Sequence, residues 1–231
     1  MLWIKKKEVY EMFKAELHCH SCDVSQCARV DVDTIVDKYT SGGYSTLVLT
    51  NHFNSGTYDF VKAESWQDWV DTYMYGYTKL KERAGDKLEV LLGMEIRFNC
   101  NINDYLVFGI TEELLRANEN LFEMNAEKFS RFAKENGLLF IQAHPFRDNM
   151  TITPPYFLDG VEVFNGHKGH DSRNEIADEW ADKYGLIKTS GTDFHYHDVP
   201  TNAGIMTDEK ITSMPQLVEI LKSGRYTLIK D

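Results

Sequence analysis

No stretch of the 231-residue chain holds about 20 consecutive apolar residues, so nothing in it reads as a membrane-spanning helix. Low-complexity tracts, internal repeats and long linkers are missing too, which makes one domain over residues 1–231 the default reading. The opening segment, Met1 to Met12, has three lysines but no apolar stretch of signal-peptide length after them. Positive charge is scarce: 25 Lys and Arg against 36 Asp and Glu leave a net −11. That balance repels other anions at long range. We therefore expect neither a nucleic-acid backbone nor an anionic membrane as the main partner, while a local basic pocket for a small anion stays open. Cysteine is sparse as well. Three of the four (Cys19, Cys22, Cys27 and Cys100) crowd into nine residues, too close together to staple a fold, so reduced thiols in a cytoplasmic protein are expected. Cys19-x-x-Cys22 has no second pair to complete a structural zinc site.

What the chain does have is alternation. Short apolar runs rich in β-branched residues fall at Glu16–His20, Ser45–His52, Leu88–Phe98, Tyr105–Ile110, Leu138–His144, Gly160–Asn165, Leu186–His195 and Tyr226–Ile229, and predict buried strands. Helical spacing lies between them. Val32, Ile35, Val36 and Tyr39 follow Asp31 and stop at Gly42-Gly43. Trp66, Trp69, Val70, Tyr73, Tyr77 and Leu80 form a long stripe. Phe129, Phe132 and Ala133 follow Asn125. Ile176, Ala177, Trp180, Ala181 and Tyr184 follow Ser172, and a last helix runs from Ser213 to Gly224. The aromatic stripes read as core-facing, with cofactor stacking by Trp66 and Trp69 the minor alternative. Strands alternating with helices imply parallel strands joined by crossovers, in an open doubly wound sheet or a closed barrel.

The histidines decide where chemistry sits. His18 and His20 end the first run, His52 follows the second and His144 the run from Leu138, while Asp193 and His195 close the run from Leu186. Glu95 lies on the third run and Asn165 ends the run from Gly160. In a barrel of parallel strands these ends converge on one face. His18 and His20, two apart on extended chain, point to the same side, as do Asp193 and His195. Taken singly, each is as well explained as a hydrogen-bonded structural residue or a cap. Together they put more imidazoles and carboxylates face to face than an apolar core tolerates without a cation, and the donor types suit zinc, manganese or iron. His167, His170 and His197 fall in loops beyond the strands; they are solvated histidines, or His170 and His197 reach substrate. Arg97 and Arg147 are either surface charges or phosphate clamps beside the metal.

The segments Glu16-Leu17-His18-Cys19-His20-Ser21, Thr50-Asn51-His52, Gly93-Met94-Glu95, Ala143-His144-Pro145 and Gly191-Thr192-Asp193-Phe194-His195 resemble, in order, motifs of the PHP (polymerase and histidinol phosphatase) superfamily. The resemblance runs from Glu16 to about Gly204. It implies a distorted (β/α)7 TIM-like barrel binding one to three divalent ions (Zn, Mn or Fe). His18, His20, Glu95 and Asp193 would hold one ion, Glu95 would bridge to a second on His144, and His52 with His195 would hold a third. Three positions depart from the family: Gln26 stands where an Asp or His is usual, Asn165 where His or Cys is common, and Asn51 within the usual Thr-Asp-His. Neutral amides are weaker ligands, so the second and third sites are expected to lack one strong donor each.

The function implied is metal-dependent hydrolysis of a small phosphate ester such as a sugar phosphate or nucleotide. Arg97, Arg147 and Asn165 are expected at substrate, His195 is expected mainly as a ligand, and His170 is expected to protonate the leaving oxygen. Two alternatives stay open: an amide or lactone hydrolase on the same metals, and a non-catalytic metabolite-binding barrel with a weakened metal site.

Overall fold

The computed structural model describes residues 12–231. The lysine-bearing opening segment up to Glu11 therefore lies outside the described residues.

The chain folds as β1 (Phe13–Cys19), α1 (Val32–Ser41), β2 (Tyr44–Leu49), β3 (His52–Phe53), α2 (Ser55–Val61), α3 (Trp66–Ala84), β4 (Glu89–Arg97) and β5 (Asp104–Phe108). It continues with α4 (Glu112–Ala117), α5 (Ala126–Glu135), β6 (Leu139–Gln142), β7 (Gly160–Asn165), α6 (Asn174–Tyr184), β8 (Ile187–Gly191), β9 (Ala203–Thr207), α7 (Met214–Ser223) and β10 (Thr227–Lys230). The strand order is β10-β9-β1-β2-β4-β5-β6-β7-β8, with β3 beside β4. A bridge between Cys19 and Phe194, and the Ser190 hydroxyl donating to the Ile229 carbonyl (2.6 Å), draw the two edges together. The result is a nearly closed, distorted TIM-like barrel, the one of the two arrangements open to the strand–helix alternation that the family resemblance implies.

The expectation of uniformly parallel strands holds only in part. β1-β2-β4 and β6-β7-β8 are parallel, but β5 runs antiparallel to both β4 and β6, and β9 is antiparallel to β1 and β10. The connection from 98 to 103 is too short to hold a crossover, so the chain can only turn back on itself.

Local chemistry accounts for the helix ends. The side chains of Asp31, Ser65, Asn125 and Ser213 accept hydrogen bonds from the backbone N–H groups of Thr34, Asp68, Lys128 and Gln216, and so cap α1, α3, α5 and α7. The α3 stripe of Trp66, Trp69, Val70, Tyr73 and Leu80 is buried. The Trp66 indole N–H donates to the Leu115 carbonyl at 2.7 Å, so this is core packing, with each aromatic contributing about 3–5 kcal/mol. On α6 only Ala177 and Ala181 are buried; Ile176 and Tyr184 lie outward, so the apolar stripe read there is narrower than the sequence spacing implies. No helix among the described residues is long and apolar enough to cross a membrane.

Candidate metal centre

The strand ends bring the predicted donors to one place. His18 Nε2 lies 3.1 Å from Glu95 Oε1 and 3.4 Å from Asp193 Oδ1, and His20 Nε2 lies 3.4 Å from both Glu95 Oε2 and Asp193 Oδ1. Donors on one tetrahedral ion with bonds of ~2.05 Å stand ~3.3 Å apart, so this spacing suits a shared cation. On its other sides Glu95 meets His144 Nε2 (Oε1, 3.3 Å) and His52 Nδ1 (Oε2, 2.7 Å). β3 pairs with β4 so that His52 stands directly beside Glu95. His195 Nδ1 is 3.1 Å from Asp193 Oδ1.

All of these residues but the half-buried His52 are buried, and His18 Nε2, His20 Nε2, His52 Nδ1 and both oxygens of Glu95 have no hydrogen-bond partner. Orphaned polar atoms in a dry interior cost about 1–3 kcal/mol each. A cation at their centre removes that cost, so the residues fit divalent metal.

The electrostatics describe a cluster organised around positive charge. Burial pushes both His18 and His20 down. At His18 it is outweighed by Glu162, Asp193 and Glu95, and the imidazole is held well above its usual value. At His20 burial wins, joined by the nearby charges of His195 and His52, and the imidazole stays well below. Burial raises Glu95 and Asp193, but the surrounding imidazoles, His18 foremost, hold both carboxyls well below the ordinary range.

Other expected residues take different places. Arg147 lines the cavity, 3.5 Å from His170 Nε2 and 3.8 Å from Asp104 Oδ2. Arg97 also lines it and grips Asp104 with two hydrogen bonds, at 2.7 and 2.6 Å. His170 lines it with Nε2 3.7 Å from Asp193 Oδ2, whereas His197 does not. Asn165 is buried behind the cluster. Its amide donates to Glu162 (2.9 Å) and Asp193 (3.2 Å), a bracing position away from the cavity wall. Asn51 braces too: its Oδ1 accepts from the Ser21 N–H (2.8 Å) and the Ser25 hydroxyl (3.1 Å), fixing the loop after His20. Gln26 donates to the Gly56 carbonyl at 2.9 Å. The atom touching His52 and His195 is instead Cys27 Sγ, 3.1 Å from each Nε2. Burial raises this thiol, but hydrogen bonding to His195 and His52 outweighs it and brings the group down to about 6.

Sequence reasoning missed three contributors: Cys27, Asp104 and Glu162. Glu162 accepts from His18 Nδ1 (2.8 Å) and from the His144 backbone N–H (3.0 Å), which fixes the His18 tautomer with Nε2 free for an ion. A carboxylate inside the apolar run Val161–Phe164 was the available signal. Glu162→Gln should weaken the first ion about 10–100-fold, with the fold retained, as measured by competition with a chelating dye. Unchanged affinity would remove Glu162 from the positioning role.

No protein-family model and no curated protein matches the sequence. Solved structures do match the fold. A two-domain protein from Bacteroides vulgatus, described as containing a predicted PHP-like metal-dependent phosphoesterase, is 19% identical with a TM-score of 0.67, over 99% of this chain and 67% of that one. PsfC from Pseudomonas syringae is 15% identical with a TM-score of 0.68, over 95% and 92%. Endonuclease Q, in complex with a 27-mer duplex bearing an abasic lesion at the active site, is 13% identical with a TM-score of 0.62, over 92% and 57%.

The protein is an α/β barrel with a polar, ion-suited cluster at one mouth. More narrowly, its fold is similar to that of the solved protein described as containing a predicted PHP-like metal-dependent phosphoesterase, the fold that its motifs imply. One expectation falls. A net charge of −11 does not exclude nucleic acid as a partner, because Endonuclease Q carries this same fold on duplex DNA. Charge summed over a chain sets only the long-range field, and locally the cavity wall includes the guanidinium groups of Arg97 and Arg147.

Proposed function

We propose that the protein is a metal-dependent hydrolase of a phosphate ester, its substrate phosphate lying over the His18–His20–Glu95–Asp193 cluster. The observation that carries this reading is a cavity of about 410 Å³ with unpartnered imidazole and carboxylate donors at its floor and two arginines in its wall. Cavities of this size suit a small molecule, such as a sugar phosphate or nucleotide. His18, His20, Glu95 and Asp193 would hold a first ion, His144 with Glu95 a second, and His52 with His195 a third. Zinc, manganese or iron there supplies Lewis-acid charge and an acidified water near neutral pH.

The remaining work belongs to the chain. Arg147 and Arg97 orient the phosphoryl oxygens, and the Asp104 clamp keeps the Arg97 fork in one geometry. His170 faces the cavity with Nδ1 3.0 Å from the Ser172 hydroxyl and Nε2 3.5 Å from Arg147, and as the acid it would give a proton from Nε2 to the departing oxygen once phosphate takes over the Arg147 contact.

The test is hydrolysis by the chelator-stripped chain reloaded with zinc, manganese or iron, read as freed phosphate from phosphomonoesters, strand scission of an abasic duplex and freed carboxylate from amides and lactones. Metal-dependent release from a small monoester is expected; cleavage of the duplex alone would move the substrate to nucleic acid, and turnover of carboxyl substrates alone would overturn phosphoester chemistry. His170→Ala should slow alkyl phosphates by about 10²-fold and spare aryl phosphates, whose leaving oxygen needs no proton. Equal losses on both would exclude His170 as the acid.

A further inference from the structure

Cys27 stands out because its sulfur sits between two imidazoles, 3.1 Å from His52 Nε2 and 3.1 Å from His195 Nε2. The loop carrying it is pinned on both sides. Ser25 Oγ donates to Asn51 (3.1 Å) before it, and the Arg29 N–H donates to the His195 carbonyl (2.8 Å) after it. Beneath lies His20, fully buried, with Nε2 unpartnered and its ring centroid 4.2 Å from that of His195 and 4.4 Å from that of His52. Ligand atoms of His20, His52 and His195 come within 4.8 Å of one another. A sulfur, two imidazoles facing it and an orphaned third nitrogen below form a donor set, where a structural cysteine would meet apolar neighbours.

We propose that Cys27 is a thiolate ligand, acting with His52 and His195 to hold a soft transition ion at the cavity wall. Gln26 is turned to Gly56, and the neighbouring residue supplies the third donor. Metal binding forms a metal–sulfur bond and releases the thiol proton to solvent. Thiolate favours zinc, cobalt or ferrous iron over magnesium and manganese, so this position confers metal selectivity that a carboxylate there would not. Three protein donors with the cavity on the fourth side follow the pattern of an open site rather than a closed structural one. The inference rests on the metal-dependent reading above, and its test separates the two.

The chelator-stripped full chain is titrated with cobalt(II) under reducing conditions and followed by absorbance and by bound-metal analysis. The expected result is a thiolate-to-cobalt charge-transfer band in the near ultraviolet alongside the visible ligand-field bands. Cys27→Ser should lose the charge-transfer band and one equivalent of bound cobalt, Cys27→Asp should regain the equivalent without the band, and Cys22→Ser should keep both. In the unaltered chain, zinc should also protect Cys27 from alkylation by iodoacetamide, a readout that needs no variant. Cobalt bound with ligand-field bands but no charge-transfer band, or a band that survives in Cys27→Ser, overturns the thiolate ligand and leaves the metal reading standing. Failure to bind cobalt at all overturns both.

Discussion

A chain carrying Glu95→Gln should lose at least one bound ion and fall in kcat by on the order of 10³-fold or more, the equivalent of several kcal/mol of charge stabilisation. The expectation follows from what the two carboxylate oxygens face. Oε1 meets His18 and His144, Oε2 meets His20 and His52, and neither has a hydrogen-bond donor to satisfy it. Every imidazole except His195 that the cluster offers an ion is therefore grouped around this one side chain, and an amide in its place keeps the shape but loses the charge and leaves only a neutral oxygen as a weaker ligand. His52→Ala, which touches Glu95 and Cys27 only from the cavity side, should cost less metal and less activity. Elemental analysis of both variants after identical loading, with circular dichroism to check the fold, makes the comparison. Equal losses, or full metal content in Glu95→Gln, would contradict this ligand assignment.

The sequence carried the donors that lie at the ends of parallel strands and lost those that reach the same face by another route. His18, His20, His52, His144, Asp193 and His195 come together because strands running the same way deliver their C-terminal ends to one mouth. Asp104 sits at the beginning of β5, and β5 is antiparallel, so its first residue pairs with Arg97 near the end of β4. A rule that inspects only C-terminal ends passes over it. Cys27 lies in a loop, where no periodicity marks which side chain turns inward, and its neighbour Gln26 took the place in the motif comparison. β9 was missed for a packing reason. Its Gly204 has φ +125, and a Cβ there would stand 2.3 Å from the Ala15 carbonyl oxygen, so the strand is short of apolar side chains where β1 presses against it.

Gly191 tests whether that close packing is what sets the metal geometry. A Cβ on residue 191 would lie 2.3 Å from His18 Cβ, 3.2 Å from the His18 backbone nitrogen and 2.8 Å from Glu162 Oε1. The first two atoms belong to a buried strand and cannot rotate aside, so Gly191→Ala must part β8 from β1 or break the His18–Glu162 contact. Overpacking of this kind costs about 3 kcal/mol, which for a chain of this size lowers Tm by roughly 6–12 °C. Melting in the presence of chelator isolates the packing cost, because no ion is then available to compensate. The folded remainder, measured below its melting temperature, should also bind its first ion more weakly, because His18 Nε2 has been moved relative to Glu95 and Asp193. A chelator-state Tm within about 2 °C of the parent, less than roughly 1 kcal/mol, would show that the strands absorb the methyl group freely. The tight approach of Gly191 to His18 would then have no part in holding the imidazole in place.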